Sequence, residues 1–253
     1  MGPGVAFFYG GLVSEKAVIS TMMLSFGCMA VVTVLWGLCG YSMSFGPVAY
    51  PLSFPGMQPI LAADYTPPFA AGVSSPGQTP NTRVVGNAQL ALFTFGDQLR
   101  QTGWVGADGV SAATWNTPGA QPLYSRITEH AYSQFQLMFA IVTCALITGG
   151  VVGKIKYVWF MFFVAVWHLC VYCPLAHWIF FYDGWLFTYG VLDYAGGLVV
   201  HCASGVSALT LSFWLGRSRT SRHNHAEAHS IPHVLLGAGL LWFGKYAPRH
   251  PPL

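Results

Sequence analysis

Long apolar runs alternate with polar breaks along this chain. The first run covers residues 17–45 and contains Met22, Met23, Val31, Val32, Leu35 and Trp36. A second extends from Ala131 to about Val152, a third over Tyr157–Phe181 and a fourth over Val191–Leu215. A fifth begins near Pro232 and breaks off near Tyr246. Roughly 20 mostly apolar residues cross a bilayer core as a helix, and the first four runs reach that length. The pattern therefore predicts transmembrane helices. Phe7, Phe8 and Tyr9, followed by Gly10 and Gly11, read as the end of a helix whose body is absent.

Residues 47–130 break the pattern. Of the chain's 16 prolines, ten fall between Pro47 and Pro122. A segment crossing lipid has to satisfy its own backbone hydrogen bonds, and proline at this density prevents that. The segment is predicted to be an extramembrane loop. Leu90–Phe93 is too short to span and precedes Asp97 and Arg100, so a short surface helix is expected there. The predicted organisation is a first-helix remnant and a membrane helix in 1–46, the loop in 47–130 and further membrane helices in 131–246. A disordered tail is expected over 247–253, where Pro248, Pro251 and Pro252 stop any helix.

Composition agrees with the pattern. Charged residues make up 8% of the chain, against about 25% in soluble proteins. So little charge leaves too few polar groups to cover a soluble surface. A net charge of +3 is too small to suggest a nucleic-acid partner; membrane lipid is the expected surroundings. Lys16, Lys154, Lys156, Arg217, Arg219 and Arg222 occupy alternate short connections. Basic residues concentrate on the cytoplasmic side, which puts the 47–130 loop and the Tyr182–Gly190 turn outside. The six cysteines, Cys28, Cys39, Cys144, Cys170, Cys173 and Cys202, all lie in apolar stretches. They read as buried small hydrophobes rather than a disulfide framework. Cys170 and Cys173 have a metal-like spacing but lack a second pair.

The chemistry concentrates in the fourth run. Gly197, Ala203, Ser204, Gly205 and Ala208 are small residues that let helices approach closely. Asp193, Gly197, His201 and Gly205 recur every four positions and are expected to share one stripe. Asp193 is expected to cap the outer helix start. His201 then lies about 12 Å further in, near the middle of a core about 30 Å thick. An ionisable side chain at that depth is costly and marks function. A neutral imidazole can exchange hydrogen bonds or a proton with a small polar solute. Its alternative role is a packing bond to a neighbouring helix.

Here a resemblance becomes specific. The run from Asp193 to Arg219 closely resembles the signature of the ammonium transporter (Amt/Rh) family. Further matches are Pro3 to Leu12, Ser20 to Met23, Phe135 to Ile141, Ala145 to Gly149, Tyr172 to Trp178 and Gly237 to Gly244. They occur in family order and cover nearly all of the chain outside 47–130. The resemblance implies an all-α, multi-pass transmembrane helical bundle, here the N-terminal half of an eleven-helix inverted-repeat fold. It implies a homotrimer in which each subunit has its own pore, with ammonium or ammonia as solute and the plasma membrane as location. Phe139 is similar to an aromatic of the family's outer ammonium site, where ring faces attract a cation. His201 matches the first of the family's paired pore histidines, and Asp193 the acid that shapes the site.

The chain also departs from the family. Phe180 stands where a Trp is common, so the ring remains but its N–H donor is lost. Trp178 and Trp185 are nearby but out of register. His177 and His168 are expected to serve packing. After Gly244 the family pattern stops, and the first helix and the second half are absent, so the chain reads as truncated at both ends. Ammonium conduction, incomplete in this fragment, is the leading expectation. One alternative is a non-conducting subunit that associates with full-length transporters. Another is a redox membrane protein with His168 and His201 as axial haem ligands. No nucleophile–base pair, phosphate loop or carboxylate cluster suggests an enzyme, and no catalytic residue, cofactor or metal is expected.

Overall fold

The computed structural model describes residues 1–46, 99–105, 112–113, 121–181, 184–216 and 228–245. In chain order the helices are α1 (Gly2–Leu12), α2 (Val18–Leu35), α3 (Tyr41–Phe45), α4 (Glu129–Val151), α5 (Tyr157–Trp167), α6 (Cys173–Phe180), α7 (Trp185–Thr188), α8 (Ala203–Leu215) and α9 (Ile231–Lys245). Wide π-helical turns at Trp36–Gly40, His168–Tyr172 and Gly197–Cys202 join or extend them. Three strands, β1 (Leu99–Val105), β2 (Ala112–Ala113) and β3 (Gln121–Thr128), form an antiparallel sheet in the order β2-β1-β3.

Four helical stretches among the described residues are long and apolar enough to cross a membrane. They include the 31-residue stretch Glu15–Phe45, Glu129–Val151 and Gly197–Leu215. The protein is a multi-pass helical membrane bundle, as its apolar runs predict. The fifth run forms α9, which is apolar but shorter. The sheet is an addition. Residues 99–105, 112–113 and 121–128 belong to the segment read as loop, and they pair as strands. The expected surface helix at Leu90–Phe93 and the tail 247–253 lie outside the described residues.

The chain folds as two compact units. One comprises Met1–Trp36, Gln136–Tyr172 and Tyr194–Leu253; the other comprises Gly37–Phe135 and Cys173–Asp193. In the first, helices meet through glycines. A Cβ on Gly150 of α4 would lie 2.6 Å from the Ala208 carbonyl oxygen of α8. One on Gly11 of α1 would lie 2.7 Å from the Val234 nitrogen of α9, and one on Gly27 of α2 would lie 2.6 Å from the Tyr157 hydroxyl of α5. Lipid tails are as apolar as leucine, so no hydrophobic force drives helices together there, and close van der Waals packing takes its place. Polar links add to it. The Ser25 and Thr148 hydroxyls lie 3.5 Å apart between α2 and α4, and Cys28 Sγ reaches the Cys144 carbonyl.

In the second unit α3 packs on α6. The Tyr41 hydroxyl donates to the buried Glu129 carboxylate at the start of α4. His177 Nδ1 lies 3.1 Å from the Ser44 carbonyl, and its ring stacks on Phe181 at 5.0 Å. The Phe45 ring meets Tyr132 edge-on at 5.4 Å.

The cysteines need a correction. Cys28, Cys144 and Cys173 are buried, but Cys170 and Cys202 are exposed and Cys39 is intermediate. In a membrane helix the outer face is as apolar as the inner one, so hydrophobicity does not select the buried side. All six are free thiols, and Cys170 and Cys173 differ in exposure.

The glycine contacts make a measurable contrast. Gly150→Val drives a side chain into the Ala208 backbone, whereas Gly205 faces open space. Thermal unfolding in detergent should show Gly150→Val destabilised by about 1–3 kcal/mol, the usual range for overpacking. Gly205→Ala should unfold close to the unsubstituted protein. Equal midpoints for the two variants would contradict the α4–α8 approach.

Candidate functional site

The site is built around the start of α8. Gly196 adopts a left-handed conformation (φ 79°), which glycine reaches without strain. Its carbonyl then accepts from both the Val200 and His201 N–H groups, at 2.9 and 3.0 Å. That double acceptance opens the π-helical turn Gly197–Cys202. A wide turn displaces carbonyls from the regular ladder, and a membrane offers no water to satisfy them. Ser204 is placed to do so: its hydroxyl donates to the Val200 carbonyl at 2.6 Å and also approaches the His201 carbonyl at 3.3 Å.

His201 occupies this turn and opens onto a cleft of about 300 Å³. Tyr9, Leu146, Gly149, Gly150, Ser204, Gly205 and Ala208 form the rest of its lining. The Tyr9 hydroxyl donates to the Leu146 carbonyl at 3.3 Å. Its ring lies where a Cβ on Gly149 would stand, 2.9 Å from Cζ. Gly149 thus admits the ring and Gly150 admits α8. Two further bonds hold α8 in place: Trp167 Nε1 donates to Ser207 at 3.0 Å, and Lys154 Nζ donates to Ser212 at 2.7 Å. A small polar solute in the cleft meets an imidazole, a phenol and backbone close to glycine. Among the described residues, no group of three histidine, cysteine or acidic side chains is arranged to hold a metal.

The other predicted residues lie elsewhere. Phe139 is on α4 in the same unit as His201 but does not line the cleft. It is partly exposed, and its carbonyl accepts from the Thr143 hydroxyl at 2.6 Å. Phe180 and Asp193 belong to the second unit. Phe180 ends α6 and is partly exposed. In its neighbourhood along the chain Trp178 and Trp185 approach to 5.8 Å, and Trp185 meets Tyr189 edge-on at 5.9 Å.

Asp193 lies before the helical run rather than within it. It lies in irregular chain, and Gly196 holds the N-cap position without a side-chain bond. Asp193 therefore does not share a helical stripe with His201. His201 is the fifth residue of the span Gly197–Leu215, about 6 Å from its start at the helical rise. The physical cause is the left-handed Gly196, which separates Asp193 from the helical run.

His168 is fully buried, with its ring 5.9 Å from Trp36 and 5.4 Å from Tyr172. That enclosure by aromatic rings suits packing rather than axial ligation of haem. Tyr9 was not foreseen as a wall of the cleft. The signal for it was the Gly149–Gly150 pair ending the second apolar run, since adjacent glycines in a membrane helix announce close neighbours.

Comparison with known proteins extends this picture. The Ammonium Transporter Family pattern matches residues 1–66 and 92–247. An ammonium transporter of Mycobacterium tuberculosis is 35% identical over 97% of the chain and 46% of its own length. One of Bacillus subtilis is 31% identical over 97% of the chain and 47% of its own length. Among solved structures, Mep2 of Saccharomyces cerevisiae superposes with a TM-score of 0.65 at 28% identity, covering 96% of the chain and 44% of Mep2. The chain thus spans less than half the length of the relatives it matches. With its membrane spans and this match, the chain belongs to the ammonium transporter family, a family of membrane transporters rather than enzymes.

Proposed function

We propose that this chain forms one half of an ammonium-conducting pore and that His201 is its solute-handling residue. The observation carrying this reading is the open cleft in which His201 stands beside Tyr9 and the glycines of α4. A histidine on an apolar helix is expensive to hold unless it serves transport. A neutral imidazole there accepts a hydrogen bond from ammonium or donates one to ammonia, and it passes a proton without leaving a fixed charge in the membrane. Phe139 and Phe180 present ring faces that attract a desolvated cation. Asp193, in the irregular segment before the helical run, supplies negative charge near the entry. The 47–130 loop lies on the outer side, the basic connections lie in the cytoplasm, and the protein works as a homotrimer in the plasma membrane.

The test uses the intact protein carrying this half. Cells lacking their own ammonium transporters should grow on limiting ammonium when it is expressed. His201→Ala should reduce uptake at least about tenfold, as expected when a positioned acid–base group is lost. Undiminished growth of that variant, with normal amounts in the membrane, removes His201 from the mechanism.

A second reading is favoured by the outward faces of α8 and α9. Phe213, Trp214, Trp242 and Phe243 there are 68% or more exposed. On this reading the chain does not conduct but associates with full-length transporters through these faces. Co-expression should then lower uptake by a full-length relative. Unchanged uptake, despite detectable insertion of this chain, counts against it.

A further inference from the structure

A second chemical feature lies away from the cleft, where the connection after α8 enters α9. His229 and His233 stand four residues apart with ring centroids 6.5 Å from each other and planes within 19°. Both are exposed. Their backbone is fixed to the end of α1: the His229 N–H donates to the Val13 carbonyl and the Ser230 N–H to the Gly11 carbonyl, each at 3.2 Å. The His233 ring is held on two sides. Phe7 lies parallel to it at 6.0 Å, and Ser230 Oγ is 2.8 Å from its Nδ1. In the tautomer whose Nδ1–H donates to Ser230, Nε2 presents its lone pair outward. Such a bond to the far nitrogen orients metal-binding histidines generally.

His229 lies just before α9 and His233 in its first turn, so the pair brackets the helix start. Neutral imidazole suits zinc, copper and nickel, whereas magnesium and calcium prefer oxygen. The preceding sequence also contains His223, His225 and Glu227, alongside Arg217, Arg219 and Arg222. The arginines repel any cation at long range, so selectivity has to come from direct nitrogen–metal bonds. Nothing in the transport reading uses this pair.

We propose that His229 and His233 form a two-imidazole site for a divalent cation of the zinc type, at the junction of α1 and α9. The described pair alone carries the proposal. It holds two imidazoles close together before the metal arrives, and water completes the coordination. Through the backbone bonds to Val13 and Gly11, a bound ion ties the connection to the end of α1.

The experiment is a calorimetric titration of the purified chain in detergent with Zn²⁺ alone, and with Mg²⁺ as the contrast. One saturable Zn²⁺ site is expected, with no Mg²⁺ binding. Either His229→Ala or His233→Ala should weaken it at least about tenfold, comparable to losses seen around metal sites. His223→Ala with His225→Ala should leave saturable binding in place. Should either single variant lose its helical content, imidazole NMR of the unsubstituted chain gives the same answer. Zn²⁺ has to shift the His229 and His233 signals together. The proposal is overturned by absent saturable binding, by Zn²⁺ affinity unchanged from the unsubstituted chain in both single variants, or by unmoved signals from this pair.

Discussion

In the unit that holds His201, helix backbones come closer than ordinary side chains allow. The Ala208 carbonyl of α8 occupies space that any side chain at position 150 would claim. In water such a contact would be reinforced by expelling solvent from the interface. In lipid it rests on dispersion and on a few hydrogen bonds. Everything about the cleft follows from this approach. Gly150 sets how near α8 comes, Gly149 lets the Tyr9 ring in, and Ser207 and Ser212 tie α8 to Trp167 and Lys154. His201 is thereby presented to a small space with a defined floor.

The second constraint is that backbone groups inside a bilayer need partners within the protein. The wide turn at Gly197–Cys202 departs from the regular ladder, and the Ser204 hydroxyl takes up carbonyls there. The turn at His168–Tyr172 is handled differently. It is sealed by packing of His168 and Tyr172 against Trp36, which itself begins the turn Trp36–Gly40. Two histidines in similar apolar helices thus have opposite surroundings. One is enclosed by aromatic rings, and the other opens to a cleft. The proposed roles follow that difference rather than residue type.

Much of this was legible in the sequence because lipid imposes a simple rule. A span needs about 20 apolar residues, so hydropathy alone located α2, α4 and the α5–α6 stretch to within a few residues. The start of α8 was not legible. Asp193 and His201 share a run that looks continuous, but the left-handed turn at Gly196 interrupts it. A glycine doublet at 196–197 was the available sign, and small residues there also fit helix packing. The strands around Leu99–Thr128 were hidden for a related reason: proline density identified a non-membrane segment without saying what it folds into. The exposed thiols of Cys170 and Cys202 show the limit of hydrophobicity as a guide to burial when the surroundings are themselves apolar. Tyr9 required knowing which helix end meets Gly149, which depends on contacts between distant parts of the chain.

The central claim is that His201, and not the enclosed His168 or His177, faces the solute. Imidazole NMR of the protein in lipid bilayers, titrated with ammonium chloride, tests it most directly. The account predicts a saturable shift of the His201 ring signals with ammonium, none at His168 or His177, and none at His201 with sodium chloride of equal ionic strength. A His201 signal that ignores ammonium, or that follows sodium equally, would contradict it.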